Sequence, residues 1–300
     1  MKHFIILFFL IIACFSCQKE QKIKINDNQI VITDYYNRKV IIKKDVQRIV
    51  SLSPGITELV FDLQKGDKII GRTDYCSFPP QVLKIQSVGG ITNANVEQII
   101  SLQPDIVISS SMLSKSKLEQ IEKAGVSIIA LPERNNVEGV YQTIEILGKI
   151  LGQETLAQQK INAMKQRILV IKEKNNYSIL PKVYYVIGFG AGGDFSAGKN
   201  TYIHEIITLA GGDNIAAKIV NWSFSKEELF ANEPDYIFIR KEDYSQFIHT
   251  APYTNLKAVR LHKVYPIESS LMDCQTIRSV EAIEQISYII HNFQLNKKDK

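Results

Sequence analysis

The chain has 300 residues, and its 36 basic and 31 acidic side chains give a formal net charge of +5. Hydrophobic residues make up 45% and charged residues 22%, a balance typical of folded globular proteins and not of disordered chains. The positive excess is too small and too evenly spread to indicate nucleic-acid binding. Beyond the N-terminal segment, no apolar run approaches the ~20 residues that a membrane-spanning helix needs, which excludes a transmembrane bundle. The length allows two domains of ordinary size.

The N-terminal segment has the pattern of an export signal. Lys2 and His3 form a short basic start, and the nearly uniform apolar run of residues 4–13 follows. This run is too short to span a membrane. We therefore expect residues 1–16 to be a signal peptide that is removed from the mature protein.

The end of this signal resembles a bacterial lipobox, in which a small residue precedes the cysteine that is lipidated. Cys17 follows Ser16 where the sequence changes from apolar to polar, so we expect Cys17 to carry the lipid and residues 17–29 to form a tether. Several acyl chains would hold the protein stably on a membrane. Cys14, which follows Ala13, is the alternative lipidation site, and an ordinary secretory signal is the second alternative.

Short strand-like segments alternate with helical patterns through the first half. The predicted strands are Ile30–Thr33, Lys39–Ile42, Arg48–Leu52, Lys68–Gly71, Asp105–Ile108 and Val126–Leu131. The predicted helices are Thr57–Leu63, Val96–Leu102 and Lys115–Ala124. Short apolar strands that alternate with helices are typical of βα units and a mostly parallel sheet. We therefore expect residues 30–152 to form one α/β lobe.

One long helix is predicted over Gln153–Asn176. Its apolar residues recur at intervals of three and four, on one helical face: Ala157, Ile161, Met164, Ile168 and Ile171. At 1.5 Å per residue, ~24 residues span ~36 Å, which is long enough to run past two lobes. Such a helix would be a stiff connection, unlike a linker rich in glycine and serine.

The second half repeats the alternation of strands and helices. The predicted strands are Lys182–Ile187, Tyr236–Ile239 and Val264–Ile267, and the predicted helices are Tyr202–Ala210, Lys226–Ala231 and Val280–Phe293. We expect residues 177–293 to form a second lobe, followed by a basic tail at 294–300. The predicted fold class is therefore α/β, with two lobes that each hold a mostly parallel sheet flanked by helices and are joined by one long rigid helix.

An internal repeat links the two halves. Residues 93–109 read NANVEQIISLQPDIVIS and residues 223–239 read SFSKEELFANEPDYIFI, so Glu97 corresponds to Glu227 and a Pro-Asp pair recurs. An acid in the first turn of a helix is also favoured by the helix dipole alone, which is the simpler reading of the match. The match nevertheless joins two halves on either side of a central helix, as expected for a duplicated protein with two lobes.

Several segments, taken together, resemble one protein family. In chain order they are RIVSLSPGITE (48–58), GRTDYCSFPPQ (71–81), residues 88–109, DFSAGKNTYIHEIITLAGGDNIA (194–216) and residues 221–239. They resemble the class III (cluster A-II) solute-binding proteins of ABC importers, especially the members that bind vitamin B12 or ferric siderophores. The resemblance covers roughly residues 30–293. It implies two α/β lobes joined by a rigid helix, with a small-molecule metal chelate held between them.

The resemblance also implies roles for five residues. Glu97 and Glu227 match the paired glutamates that dock on arginines of the two permease subunits, so the implied partners are a permease dimer and its ATPase. Tyr75, Phe195 and Trp222 match aromatic ligand contacts of the cleft. Aromatic rings suit a large flat macrocycle because they supply contact area at low entropic cost. Ordinary core packing is the alternative role for each of the three rings.

The chain departs from the vitamin B12-binding pattern at several cleft positions. Ile91 stands where a ligand-stacking tryptophan is expected, and Ser270 and Cys274 replace polar and charged residues. Cys76 and Cys274 would both lie on loops that face the cleft. An exported protein of this size needs no disulfide framework, so the two cysteines could form a disulfide or remain free.

Sequence patterns for enzymes and metal sites fit poorly. GFGAGG at 188–193 matches a dinucleotide-binding motif, but no helix pattern begins before about Asn200, so we interpret it as a loop that lines the cleft. The five histidines form no HxxxH or HExxH pattern, which leaves a zinc protease unsupported. No nucleophile with a matching base can be identified, and no cofactor or nucleic-acid partner is expected.

The sequence thus predicts a monomeric, lipid-anchored substrate-binding component of an ABC importer in the cell envelope. It would bind a metal chelate without catalysis. A corrinoid such as cobalamin is the first ligand class, and a ferric siderophore or haem is the alternative. A structural surface lipoprotein is the remaining hypothesis, which the repeat in two lobes argues against.

Overall fold

The computed structural model describes residues 24–26, 29–132, 135–175 and 178–298. The predicted signal peptide, residues 1–16, and the predicted lipidation site, Cys17, lie outside the described residues. None of the described helices is both long and apolar enough to cross a membrane.

A small antiparallel sheet precedes the first lobe. It consists of β1 (Lys24–Asn26), β2 (Gln29–Thr33) and β3 (Lys39–Lys43). Strand β1 lies within the segment that the sequence predicts to be a tether. Alternate residues of β2 and β3 are buried, with Ile30 paired to Ile42 and Ile32 to Val40. This alternation is typical of antiparallel strands with one face on the core.

The first lobe contains a parallel sheet with the strand order β5–β4–β6–β7. Its strands are β4 (Ile49–Ser51), β5 (Ile69–Arg72), β6 (Ile106–Ser110) and β7 (Ile128–Leu131). Its helices are α1 (Pro54–Asp62), α2 (Val96–Ser101) and α3 (Lys115–Lys123). All residues of β4, β6 and β7 are buried, as expected for parallel strands covered on both faces.

Two helices lie in the chain between the last strand of the first parallel sheet and the first strand of the second. The long helix predicted from the sequence is α5 (Glu154–Lys174), and its buried residues are the five of the predicted apolar stripe. It packs against α4 (Val137–Leu151), a helix that the sequence reasoning missed. The two helices approach closely at Gly148, where a side-chain Cβ would lie 2.6 Å from the Cβ of Ala157. Gly152 in the left-handed conformation (φ +63°) ends α4 and starts the turn into α5.

The second lobe has the same topology as the first. Its parallel sheet, with the order β9–β8–β10–β11, contains β8 (Lys182–Val186), β9 (Asp213–Asn214), β10 (Tyr236–Arg240) and β11 (Val264–Ile267). Its helices are α6 (Tyr202–Leu209), α7 (Lys226–Asn232), α8 (Tyr244–His249), α9 (Lys257–Arg260), α10 (Ser269–Asp273) and α11 (Ser279–Lys298). Helix α11 runs on through residues 294–298, which the sequence predicts to be a basic tail. The predicted α/β fold with two parallel sheets is confirmed.

The lobes share one apolar core. Five helices of the two lobes contribute side chains with at most 1% exposure to it: Val60, Ile144, Ile161, Ile206 and Ile283. A second cluster lies within the first lobe alone and a third within the second lobe alone. The guanidinium of Arg167 on α5 also forms two hydrogen bonds, of 2.8 and 2.7 Å, with the carboxylate of Glu284 on α11. A large rotation of one lobe against the other would expose the shared core to water, and this costs ~25 cal/mol of free energy per Å² of apolar surface exposed.

The shared core predicts the effect of shortening a side chain on α5. Met164 is 1% exposed, so Met164→Ala should lower the free energy of unfolding by about 2–5 kcal/mol through lost burial and the cavity left behind. Denaturant unfolding followed by circular dichroism measures this loss. Gln166→Ala, on the exposed face of the same helix, should change stability by less than about 0.5 kcal/mol. Equal losses in the two variants would contradict the burial of Met164 in the shared core.

Candidate functional site

A cavity of about 550 Å³ lies between the two lobes. The first lobe lines it with segments that follow β4, β5, β6 and β7, and the second lobe lines it with Arg240, at the end of β10, and with residues of segment 269–275, after β11. These segments converge because the carboxyl ends of parallel strands meet at one edge of a sheet. Ligands of open α/β sheets bind outside that edge. The cavity is therefore the candidate binding site.

Tyr75 lines this cavity and is 66% exposed. It lies after β5, where its ring packs near Gly90: a Cβ on that glycine would be 3.6 Å from the Tyr75 Cε2 atom. Phe78 and Ile91 also line the cavity. An aromatic ring so exposed beside a cavity is available to cover a flat ligand face.

Phe195 and Trp222 lie side by side in the second lobe. The backbone N–H of Ser196 donates to the carbonyl of Trp222 at 2.8 Å, and Phe195 forms an isolated β-bridge with Ser223. The two rings are 36% and 46% exposed. Neither is among the side chains that line the cavity. Trp222 has φ +67°, a backbone conformation that bulky residues rarely adopt.

The glycine-rich segment 188–193 packs against the Phe195 ring. A Cβ on Gly188 would approach the ring to 3.2 Å, and one on Gly193 to 3.6 Å. The next helix, α6, begins only at Tyr202. The Phe195 ring thus packs closely against two positions that have no side chain. This packing accounts for the two glycines without a dinucleotide-binding role.

Two ion pairs at the cavity were missed by the sequence reasoning. Glu58 on α1 is 3% exposed and pairs with Arg278 of the second lobe at 3.3 Å, while Arg240 pairs with Asp273 at 2.9 Å. The guanidinium of Arg278 also lies 3.8 Å from the centre of the Phe78 ring, which binds the lobes together through a cation–π contact. Burial raises the pKa of the Glu58 and Asp273 carboxyls. No local sequence signal connects Glu58 and Arg278, because they are 220 positions apart.

Cys76 and Cys274 are both free thiols. Cys76 is buried, with its Sγ 3.2 Å from the hydroxyls of Thr57 and Thr73, whereas Cys274 lines the cavity. Burial raises the pKa of the Cys274 thiol to about 12, so it stays protonated at neutral pH and is a poor metal ligand in that form. Among the described residues, no group of three or more His, Cys, Asp or Glu side chains is placed to hold a metal ion.

Glu97 and Glu227 occupy matching positions on the two lobes. Each is exposed in the first turn of a short helix, α2 or α7. The side chain of Asn95 caps the first helix by accepting from the N–H of Gln98 at 3.1 Å, and Ser225 caps the second in the same way at 3.0 Å. Within the part of the chain that the structure describes, neither glutamate forms an ion pair.

The repeat seen in the sequence has the same local geometry in both lobes. The Oδ2 atom of Asp105 accepts from the backbone N–H of Arg48 at 2.9 Å, and that of Asp235 accepts from the N–H of Lys182 at 3.0 Å. In both lobes, this bond ties the segment after the short helix to the start of the neighbouring strand. The two glutamates therefore project from equivalent frameworks.

Comparison with known proteins agrees with this geometry. Residues 49–271 match the family described as periplasmic binding protein. The ABC transporter substrate-binding lipoprotein YvrC of Bacillus subtilis (strain 168), itself uncharacterized, is 30% identical over 283 residues, which cover 91% of this chain and 90% of the relative. The vitamin B12-binding protein of Vibrio campbellii is 26% identical over 244 residues, which cover 80% of this chain and 88% of the relative.

A solved structure has the same fold. The periplasmic heme-binding protein RhuT from Roseiflexus sp. RS-1, in its apo form, superposes with a TM-score of 0.75 at 22% identity, covering 82% of this chain and 98% of that protein. The chain therefore belongs to the periplasmic binding protein family, whose members bind solutes for transport and are not enzymes, and this confirms the family that the sequence predicts.

Proposed function

We propose that this substrate-binding component of an ABC importer captures a macrocyclic metal chelate, with a corrinoid such as cobalamin as the first candidate. The cavity with the exposed Tyr75 ring at its edge carries the proposal. A volume of about 550 Å³ lies within the range of about 300–1,000 Å³ that is usual for small-molecule sites. A ligand in the cavity would cover this exposed ring.

The charges of the cavity favour a ligand without strong net charge. Each charged side chain that lines it has a partner: Glu58 has Arg278, and Arg240 has Asp273. An unpaired cation, which would attract an anionic ligand, is therefore not among the described lining residues. Corrinoids carry neutral amides around their ring, and the Vibrio campbellii relative is named for binding one of them.

Haem is the second candidate, and Tyr75 is the observation that favours it. Tyrosine is one of the side chains that ligate haem iron, and Tyr75 presents its phenol beside the cavity. Met112, a further residue type able to ligate haem iron, also lines the cavity. The Roseiflexus structure, named for haem binding, shares the fold.

Titration with cyanocobalamin and with haemin tests the ligand. Trp222 is the only tryptophan, and energy transfer to an absorbing macrocycle does not require contact, so binding should quench its emission saturably at sub-micromolar ligand. Tyr75→Ala should weaken binding by ~1.5–3 kcal/mol, more than tenfold, because the ligand loses a covering ring. Tyr288→Ala is the matched control, since Tyr288 is 71% exposed on α11 and lies outside the cavity lining.

Each outcome of this titration has a distinct meaning. Binding of haemin or of a ferric hydroxamate, without binding of cobalamin or cobinamide, would move the assignment to the alternative ligand class. Equal affinity of the wild type and Tyr75→Ala would remove the tyrosine from the site. Silence with every chelate, by fluorescence and by calorimetry, would contradict chelate binding altogether.

Glu97 and Glu227 are proposed to dock the loaded protein on the permease. Their equivalent positions suit a transporter with two similar subunits, and pairs of arginine and carboxylate are directional as well as attractive. Their freedom from ion pairs within the described chain leaves both carboxylates available to a partner.

Charge reversal tests the docking surface. Glu97→Lys combined with Glu227→Lys should leave ligand affinity within about twofold and lower transport at least a hundredfold, since disrupting a buried charge pair costs ~2–5 kcal/mol. Transport into proteoliposomes that contain the permease and its ATPase measures the effect. Glu154→Lys combined with Glu173→Lys, on the exposed face of α5, makes the same change of charge and should leave transport unchanged. Loss of ligand binding in the first variant would argue against a docking role.

Lipidation of Cys17 is proposed to hold the protein at the cell envelope. The apolar run before it and the relative that is named a lipoprotein support this anchor. Fatty-acid labelling should be lost in Cys17→Ala and kept in Cys14→Ala, and the first variant should be released from membranes. The reverse pattern would place the lipid on Cys14.

A further inference from the structure

We infer that the N-terminus of α1, together with the hydroxyl of Ser53, forms a subsite that binds an acceptor oxygen on the rim of the ligand. The acceptor would be a carboxylate or an amide carbonyl. This inference rests on the proposed function, because it requires the ligand to occupy the cavity.

The free hydroxyl of Ser53 is the first observation. Ser53 is at the N-cap of α1, is only 7% exposed, and lines the cavity. A serine at this position usually accepts a bond from the N–H groups of the first turn, as Ser114 does at α3. The Ser53 hydroxyl makes no such bond, and no other partner exists for it among the described residues. Its oxygen is not among the fully buried side-chain atoms that lack a partner, so this largely buried residue exposes its hydroxyl to the cavity that it lines, where a ligand oxygen can accept from it.

The first turn of α1 supplies two further donors. The first N–H groups of a helix have no intrahelical acceptor, and Pro54 has no N–H at all. The N–H of Thr57 is already bonded to the carbonyl of Ser53 at 2.9 Å. Gly55 and Ile56, which both line the cavity, therefore contribute their N–H groups beside the Ser53 hydroxyl. The helix dipole adds a partial positive charge at the same place.

Buried hydroxyls hold this turn in position. The carbonyl of Ser53 lies 2.9 Å from the Thr57 hydroxyl and 3.3 Å from the Ser51 hydroxyl, and these two hydroxyls are 2.8 Å apart. The backbone of Ser53 is thus fixed while its side-chain oxygen remains unbonded. Donors held in place before binding lose little entropy when a ligand arrives.

The subsite lies where the two lobes meet. A Cβ on Gly55 would be 3.5 Å from the backbone oxygen of Gln275 in the second lobe. A ligand oxygen bound here would therefore sit next to the lobe contact, and Tyr75 would meet another part of the ligand. Since Glu58 in the next turn of α1 is paired with Arg278, the charges nearby are balanced, and the donors suit an amide oxygen as well as a carboxylate.

Ser53→Ala in the full chain tests the subsite, with cyanocobalamin, haemin and haem dimethyl ester as probes. The affinity for a probe that the wild type binds should fall about five- to tenfold for an amide acceptor and more than tenfold for a carboxylate. The midpoint of thermal unfolding should not change, because the Ser53 side chain caps nothing. A loss with cyanocobalamin assigns the oxygen to an amide, and a loss with haemin but not with its dimethyl ester assigns it to a carboxylate.

Ser114→Ala is the matched control. Ser114 caps α3 through a 3.3 Å bond from the N–H of Lys117 and lies outside the cavity lining, so this change should lower the unfolding midpoint and leave affinity unaltered. Unchanged affinity of Ser53→Ala for a probe that the wild type binds overturns the subsite and leaves the proposed function standing. A lowered midpoint in Ser53→Ala also overturns it, because the hydroxyl would then have a structural partner. A wild type that binds none of these probes overturns the subsite, and one that is also silent with a ferric hydroxamate overturns the proposed function as well.

Discussion

The apolar core that the two lobes share constrains everything else in this molecule. Helices α4, α5, α6 and α11 bury their apolar faces in one continuous cluster, so the lobes cannot separate without exposing it to water. The pairing of Arg167 with Glu284 joins α5 to α11 within the same arrangement. A protein built in this way holds a cleft of nearly constant shape, and ligand capture depends on side chains that are already in position.

The cavity follows from this constraint and from the duplicated topology. Both sheets are parallel and have the same strand order, and their carboxyl ends face each other across the cleft. Loops at these ends are free of the ladder hydrogen bonds and can present serines, aromatic rings and paired charges. Glu58 and Arg278 bridge the lobes beside the cavity, which couples the geometry of the site to that of the lobe contact. The same symmetry places Glu97 and Glu227 on matching surfaces.

Burial inside the cleft also decides the chemistry of its residues. Arg278 and Arg240 offset the charge of Glu58 and Asp273, and the thiol of Cys274 is kept protonated because burial disfavours the thiolate. The side chains therefore act by contact, hydrogen bonding and shape.

The sequence by itself determined the alternation of strands and helices, the long helix with its apolar stripe, the repeat around the two glutamates, and the family. All of these depend on residues close together in the chain, where the periodicity of 3.6 or 2 is visible. Helix α4 carries the same kind of signal, since Val140, Ile144, Leu147 and Leu151 recur at intervals of three and four, so its period was visible in the sequence and was overlooked. Only the tertiary structure decided that Glu58 pairs with Arg278 and that the hydroxyl of Ser53 has no bond. It also decided that Tyr75 lines the cavity, whereas Phe195 and Trp222 lie outside the lining. These features depend on contacts between segments far apart in the chain, and local sequence carries no record of which distant groups will meet.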